Sequence, residues 1–201
     1  MQLIVEDFES VAPVTLHPEH PPLTDDEFVA FCEQYPDCMV EVSADGEITI
    51  MPPNYPKTSK KNSRIVAQLS MWSDEDGRGE MLDSSGGFVL ANGARRAADA
   101  CWIRKERVAA LPAIQREKFY RLCPEFLIEL RSAHDRMRKL RAKMEEYMAN
   151  GAQLAWLIDP FENTVTIYRP GLPPEILDKP AAVRGEGPVE GFVLDLSKIW
   201  D

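Results

Sequence analysis

The sequence lacks the marks of a membrane-inserted or exported chain. None of its apolar runs approaches the ~20 residues that a membrane-spanning helix needs. Its first ten residues, MQLIVEDFES, have no basic segment ahead of the apolar ones, so they do not resemble a signal peptide. The apolar fraction of 44% and the charged fraction of 28% exclude a disordered, collagenous or coiled-coil chain. We therefore expect a globular protein of the cytoplasm with no membrane partner.

Cysteine and histidine are scarce, with four and three residues. No C-x-x-C pair is present, and the histidines lie in a proline-rich stretch or alone, which does not suit a zinc site. Free thiols in a reducing compartment are the better interpretation. The sequence also lacks a phosphate-binding glycine loop, a G-x-S-x-G elbow and an H-E-x-x-H motif. The chemistries that depend on those motifs therefore have no support.

Positive charge is in the minority and is unevenly distributed. The 23 basic and 33 acidic residues give a formal net charge of −10. Two windows are nonetheless strongly basic, since residues 57–64 hold four basic groups and no acid, and residues 131–143 hold six basic groups and one acid. These windows could bind the phosphates of a nucleic acid, or they could be solvated helix faces. Charge alone favours neither interpretation.

The first quarter of the chain predicts an extended arm, then a helix and a hairpin. Residues 1–23 end in a proline-rich stretch without helical periodicity, so we assign them to an N-terminal arm and residues 24–201 to a single domain. The run Thr24–Glu27 is a capping box that begins a helix. Met39–Met51 alternates on both sides of a turn that contains glycine, which is typical of a β-hairpin.

The remaining segments predict a mixed sheet flanked by helices. Apolar residues at spacings of three and four predict helices over residues 59–72, 105–122 and 135–150. Short runs with strand character cover residues 87–91, 99–103, 126–130, 154–159, 164–169 and 191–196. Because strands and helices are interleaved in one domain, the predicted fold class is α/β (α+β), with a central mixed β-sheet flanked by helices and an added N-terminal helix and hairpin.

Three acidic residues interrupt strand patterns that otherwise consist of apolar side chains. Glu129 lies inside Phe126–Leu130, Asp99 begins another apolar strand, and Glu41 lies in the first strand of the hairpin. A carboxylate inside a sheet must be paired, protonated or bound to a cation. Pairing with arginine would explain any one of them. Three such acids, expected on three strands of one sheet, instead favour a magnesium site.

A larger set of motifs gives the chain a family resemblance. The runs that carry it are Cys123–Ser132, Asp135, Lys143–Tyr147, Gly151, Trp156–Pro160, Glu41 with Asp45–Glu47, Ser84–Phe88 and Gly191–Leu196. In combination they resemble the Uma family of putative restriction endonucleases, which is assigned to the PD-(D/E)xK nuclease superfamily. The resemblance extends from about residue 24 to 200 and implies a restriction-endonuclease-like core.

The resemblance also implies catalytic roles for particular residues. Asp99 matches the motif aspartate and Glu129 the motif (D/E), both as ligands of Mg²⁺, for which Mn²⁺ can substitute. Glu41 matches an acid that precedes the core strands and would bind a second ion or a metal-held water. Arg131 stands where the superfamily usually has its lysine, and that role would pass to Lys143 in the next helix. The chain departs from the family pattern at Ala98, where the family has proline.

The function implied is Mg²⁺-dependent hydrolysis of DNA phosphodiester bonds by an endonuclease that works as a homodimer. The expected phosphate contacts come from the basic windows, namely Arg131, Lys60, Lys61, Arg64 and Arg138. The alternative is a nuclease-fold protein without catalysis that binds nucleic acid or a protein partner.

Two structural expectations test the nuclease interpretation. Asp99 and Glu129 should lie on the same face of the sheet, with raised pKa values for Glu129 and its neighbours, because clustered buried carboxylates repel one another. Lys143 should point its ammonium at this pair, because it flanks the apolar stripe of its helix. Arg131 should instead bind a phosphate or a carboxylate, for which its planar group is better suited.

Overall fold

The structure is a computed structural model that describes residues 13–17, 23–36, 38–51 and 53–201. Most of the predicted arm, residues 1–23, therefore lies outside the described residues. Within them, Val14–Leu16 forms strand β1, which pairs antiparallel with the second strand of the hairpin. No helix in these ranges is both long enough and apolar enough to cross a membrane.

The predicted N-terminal helix and hairpin are confirmed. Helix α1 is Asp25–Gln34, and its capping box is formed, since Thr24 Oγ1 accepts from the Glu27 N–H while the Glu27 carboxylate accepts from Thr24. The hairpin consists of β2, Met39–Val42, and β3, Ile48–Met51. Phe28 and Phe31 of α1 pack against this hairpin in a small hydrophobic cluster.

The hairpin belongs to a sheet of its own. Five strands in the order β1-β3-β2-β6-β5 form this sheet, with β5 at Phe88–Val89 and β6 at Arg95–Arg96. Glu41 therefore lies in a different sheet from Glu129, so the expectation that the three acids share one sheet is wrong. The reason is that β2 pairs with β3 on one side and with β6 on the other. Neither edge of β2 is therefore free to pair with a strand that carries Asp99 or Glu129.

The second sheet is the predicted central mixed sheet. Its six strands run in the order β11-β10-β9-β8-β7-β4, and only β8 and β9 are parallel. The bounds are Gly79–Asp83 for β4, Ala100–Arg104 for β7, Phe126–Leu130 for β8, Leu154–Asp159 for β9, Thr164–Tyr168 for β10 and Glu175–Asp178 for β11. The C-terminal strand, β13 at Val193–Asp195, pairs with β12 at Ala182–Arg184 in a separate ladder, closed by a short 3₁₀ turn at Gly187–Val189.

Two long helices cover opposite faces of the central sheet. Helix α2, Pro56–Asp76, contributes Ile65 and Leu69 to a core that also holds the even-numbered residues of β7 and β8. Helix α5, Met137–Ala149, packs its apolar stripe on the odd-numbered residues of the same strands. Both helices were predicted, although α2 is longer at each end, from Pro56 at its first turn to the left-handed Gly77 that ends it.

Two local predictions are wrong. The single helix expected over residues 105–122 is two short helices, α3 at Lys105–Ala110 and α4 at Ala113–Arg116. Pro112 separates them, because the residue before a proline avoids the helical region, and Leu111 has an extended backbone. Strand β4 was not predicted, and the strand expected over residues 87–91 is only the two residues of β5.

Candidate active site

The strand pairing of the central sheet brings two of the predicted acids together. Strands β7 and β8 are antiparallel with Ala100 opposite Ile128, so the same register places Asp99 opposite Glu129. Directly opposed residues of antiparallel strands project from the same face. Both side chains therefore face α5, as expected.

Helix α5 places the ammonium of Lys143 beside this pair. Leu140, Met144 and Tyr147 are buried on the sheet, so Lys143 lies at the edge of the helix stripe with its four-carbon stem running inward. Its Nζ lies 2.8 Å from Glu129 Oε1 and 2.8 Å from Glu41 Oε1, and it donates to the Ala97 carbonyl at 3.1 Å. The expected direction of the Lys143 ammonium is confirmed for Glu129, and its second carboxylate partner is Glu41.

Glu41 reaches the site from the hairpin sheet and is held on several sides. Besides Lys143, its Oε1 accepts from the Ala97 N–H at 3.0 Å, and its Oε2 lies 3.3 Å from Arg96 Nη1. Arg96 is in turn bound by Glu146 of α5, at 2.6 Å from Nε to Oε2. The hairpin, β6 and α5 are thus joined by one buried ionic network.

The carboxylates of this network differ in acidity. Burial raises the pKa of Glu129 to about 8, with Asp99 and Glu41 adding to the shift and Lys143 only partly offsetting it. Burial raises the pKa of Asp99 to about 6, against the stabilising Leu130 N–H and Lys143. The expectation of raised pKa values is therefore confirmed for these two acids.

Glu41 does not follow that expectation. Burial alone would raise the pKa of its carboxyl, but Lys143, Arg96 and the Ala97 N–H together hold the pKa below its ordinary value. Two cations and a backbone donor stabilise one carboxylate here. Glu41 is therefore ionised, whereas Glu129 shares a single ammonium with it and is partly protonated near neutral pH.

Arg131 does not pair with Asp99, Glu129 or Glu41, and its partner is a different carboxylate. Its Nη1 lies 2.7 Å from Asp159 Oδ2 at the end of β9, and its guanidinium stacks over the Phe161 ring at 5.2 Å. The expectation that Lys143 rather than Arg131 contacts the acids is confirmed. The carboxylate bound by Arg131 is Asp159.

The other predicted phosphate contacts are spread over α2 and α5. Lys60 and Arg138 are exposed and Arg64 is partly exposed. Lys61 is buried, and its ammonium donates to the Ile199 carbonyl, so it faces the protein interior. None of these four pairs with the three acids among the described residues, and their role as phosphate contacts stays a prediction.

The donor set fits a magnesium ion held by two side chains. Mg²⁺ is often bound by one or two carboxylates, with water and substrate phosphate completing its six ligands. Asp99 Oδ1 and Glu129 Oε2 have no hydrogen-bond donor among the described residues, whereas Asp99 Oδ2 accepts from the Leu130 N–H at 2.7 Å. Within the same ranges, no group of three or more Asp, Glu, His or Cys residues is arranged to hold a metal. Glu41 has protein partners at both of its oxygens.

Sequence reasoning missed three participants in the network. Arg96 donates to both Glu41 and Glu146, and Tyr147 donates its hydroxyl to Glu129 Oε1 at 3.3 Å. Tyr147 was assigned to the apolar stripe of α5, which is right for its ring. The pair Arg95-Arg96, with no acid beside it in the sequence, is the one signal that could have indicated buried partners elsewhere.

Comparison with known proteins supports the fold. A solved structure described as a putative nuclease belonging to DUF820, from Anabaena variabilis ATCC 29413, is similar to the chain with a TM-score of 0.74 and 22% identity, over 89% of this chain and 98% of that one. This likeness shows the shared fold, and it confirms the predicted fold class. No curated protein matches the chain. The family model for Uma2, described as a putative restriction endonuclease, matches residues 25–197, so the chain belongs to the Uma2 family.

Proposed function

We propose that the chain is a Mg²⁺-dependent endonuclease that hydrolyses phosphodiester bonds in DNA, with Mn²⁺ able to substitute. The observation that carries the proposal is the facing pair Asp99 and Glu129, a half-buried and a buried carboxylate that both have raised pKa values beside Lys143. A fold that needed this cluster only for stability would gain more from apolar side chains. A divalent cation offsets its excess negative charge.

Each residue has a defined task in this proposal. Asp99 and Glu129 would hold the metal, which when bound would supply positive charge that lowers the barrier to attack on the phosphate. Lys143 would donate to the attacking water and to the oxygens on which charge develops. Glu41 and Arg96 fix the position of Lys143, since Glu41 has partners on both oxygens. Glu129, whose pKa is about 8, would serve as a ligand in its carboxylate form.

The proposed substrate contacts follow from exposure. Lys60, Arg64 and Arg138 are accessible on α2 and α5 and would bind backbone phosphates, which gives affinity without sequence readout. A homodimer would supply one active site for each strand of a duplex, an expectation that rests on the family resemblance. Light scattering of the purified protein, alone and with DNA, measures its molecular mass and so tests whether it is a homodimer.

A second candidate function is binding of nucleic acid without cleavage. It is favoured by one observation, namely that Lys143 already neutralises part of the cluster without any metal. The departure at Ala98, where the family has proline, points the same way. In this case the protein would bind nucleic acid through the same basic surface and leave it intact.

A cleavage assay separates the two candidates. Plasmid DNA is incubated with the wild-type protein and Mg²⁺ or Mn²⁺, with EDTA as the metal-free control. We expect cleavage with either metal, none in EDTA, and none by Asp99→Asn or Glu129→Gln. The matched control is Asp178→Asn, an exposed carboxylate on β11, which β10 and β9 separate from β8; this variant should cleave at the wild-type rate. Binding without cleavage in every metal would favour the second candidate.

A further inference from the structure

A pocket of about 260 Å³ lies at the N-terminus of α2, at the end of strand β8. Its walls include Tyr55 and Lys57 from the start of α2, Leu130 and Arg131 after Glu129, and Phe161 from the turn that follows β9. The acids of the active site face α5, whereas this pocket faces α2. The two sites are therefore joined through the end of one strand and do not share side chains.

The pocket is positively charged. Lys57, Lys61 and Arg131 line it, and none of the residues that line it is acidic. Arg131 is paired with Asp159, and Asp201 interacts electrostatically with Lys61. Lys57 is exposed and has no ion-pair partner among the described residues. Its ammonium is therefore available to an anion in the pocket.

The start of α2 strengthens the attraction for an anion. Tyr55 precedes the helix without a side-chain hydrogen bond to it, and the first turn contains no acidic residue. Pro56 has no N–H, but the N–H groups of Lys57 and Thr58, two residues that line the pocket, have no side-chain cap, and the dipole of this 21-residue helix is positive at this end. The first turn also carries Lys57, where acids would be favoured in a helix that binds nothing.

Two aromatic rings at the pocket are unusually exposed. Tyr55 is 45% exposed and Phe161 is 53% exposed, although large apolar side chains are generally buried. The Phe161 ring already stacks under the Arg131 guanidinium, and the Tyr55 ring lies 5.2 Å from the His134 ring. Flat rings beside phosphate-binding cations are the combination that binds nucleotides of single strands.

We propose that this pocket binds one unpaired nucleotide of the substrate, with its phosphate at Lys57 and Arg131 and its base stacked on Phe161 or Tyr55. The inference rests on the proposed function, since it assumes a nucleic acid substrate. It adds that the substrate has a single-stranded segment next to the cleaved bond. In a duplex the bases are stacked on each other and cannot reach the rings.

Equilibrium binding in EDTA tests the pocket without any cleavage. Fluorescence anisotropy is measured with three labelled DNAs: a single strand, a blunt duplex, and the same duplex with a short single-stranded overhang. We expect Phe161→Ala and Tyr55→Ala each to weaken binding of the single strand and the overhang by about 10-fold, and of the blunt duplex by less than about 2-fold. Lys57→Ala should reduce the salt dependence for the single strand by about one phosphate contact.

Matched controls come from surfaces far from the pocket. Met71→Ala removes an exposed apolar side chain from the later part of α2, and Lys118→Ala removes an exposed cation paired only with exposed Asp26. Neither should change binding of any of the three DNAs. Circular dichroism of each variant confirms that it is folded, which is expected because the changed side chains are exposed.

The outcomes separate this inference from the proposed function. Equal affinity for all three DNAs, unaffected by Phe161→Ala and Tyr55→Ala, would contradict the proposal that the pocket binds a nucleotide. That result would leave the nuclease proposal standing. Failure of the wild type to bind any of the three DNAs would overturn both proposals.

Discussion

Lys143 carries one positive charge between two carboxylates. In the structure its side chain is only 14% exposed, and it bridges Glu41 and Glu129. Removing one member of a buried ion pair leaves the other without compensation, which is costly. Lys143 therefore contributes to folding as well as to the proposed chemistry.

Substitution Lys143→Met should lower the free energy of unfolding by about 3 kcal/mol at pH 8 in EDTA. At pH 5.5 the loss should be smaller, because Glu129 is then protonated and needs no partner. Urea denaturation at both pH values measures the difference. The control is Lys139→Met on the same helix. Lys139 forms a 3.4 Å ion pair with Glu47 that is largely exposed, so this substitution should lower the free energy of unfolding by about 0.5 kcal/mol or less. Equal losses for Lys143→Met at the two pH values would contradict the ionic network.

The raised pKa values of Asp99 and Glu129 predict a pH dependence of stability. Their carboxyls keep protons in the folded protein that they lose in the unfolded chain, so the folded state binds more protons between the ordinary value of 4.5 and about 8 for Glu129. Stability from this source is present in acid and is lost as the pH rises through 8. Asp99 acts in the same direction between 3.8 and about 6.

Urea denaturation in EDTA should therefore show the wild type losing stability between pH 5 and pH 8. The Glu129→Gln variant should lose less over the same window, because its amide does not titrate. Glu41, whose pKa is lowered, affects stability only below this range and leaves the comparison unchanged. Parallel curves for the two proteins would show that Glu129 has an ordinary pKa.

Among the elements, strand β4 depends on a single glycine. Gly79 lies against the buried ring of Trp102, and a Cβ at this position would be 2.1 Å from the Trp102 Cε2 atom. Side-chain atoms cannot approach so closely, so only glycine lets β4 pair with β7 at this point. The short strand escaped prediction because its Gly-Glu-Met-Leu-Asp sequence lacks β-branched residues.

Substitution Gly79→Ala should destabilise the protein by about 2–3 kcal/mol, because the fully buried Trp102 ring has no space into which to move. Thermal unfolding followed by tryptophan fluorescence measures the shift. Glu80→Ala, at the next position of the same strand, is the control and should change stability by about 0.5 kcal/mol or less. A Gly79→Ala protein as stable as this control would mean that the ring is not in this position.

Across the whole molecule, the two sheets are joined by polar contacts that cross between them. Glu41 of the hairpin sheet binds Lys143 of α5, which packs on the central sheet. Arg96 of β6 binds Glu146 of the same helix. Arg95 of β6 pairs with Asp25 of α1 and stacks on Phe28, which ties α1 to the same sheet. Separation of the sheets would expose these charges without partners.

We therefore expect the protein to unfold in one cooperative transition. Differential scanning calorimetry in EDTA should give a single peak whose calorimetric and van't Hoff enthalpies agree. Addition of Mg²⁺ should raise the midpoint of the wild type and leave that of Asp99→Asn nearly unchanged, because a ligand stabilises only the state that binds it. Two separated peaks would show that the hairpin sheet folds as a unit of its own.

The secondary-structure elements that depend on residues close together in the chain were predicted correctly from the sequence. The capping box begins α1, the alternation of Met39–Met51 makes the hairpin, and the apolar runs of β8 and β9 were predicted with the bounds that the structure has. Hydrogen bonds within a turn and the period of apolar residues depend on neighbours along the chain. The family resemblance added Asp99, Glu129 and Lys143 as a set.

Tertiary structure alone decided which of the acids meet and what compensates them. Glu41 lies on a separate sheet and still reaches Lys143, Arg96 forms part of the same network, and Arg131 turns away to Asp159. The pKa values of these groups follow from burial and from charges that are distant in the sequence. No pattern within a short window records such distances, because they are set by how two sheets and a helix pack together.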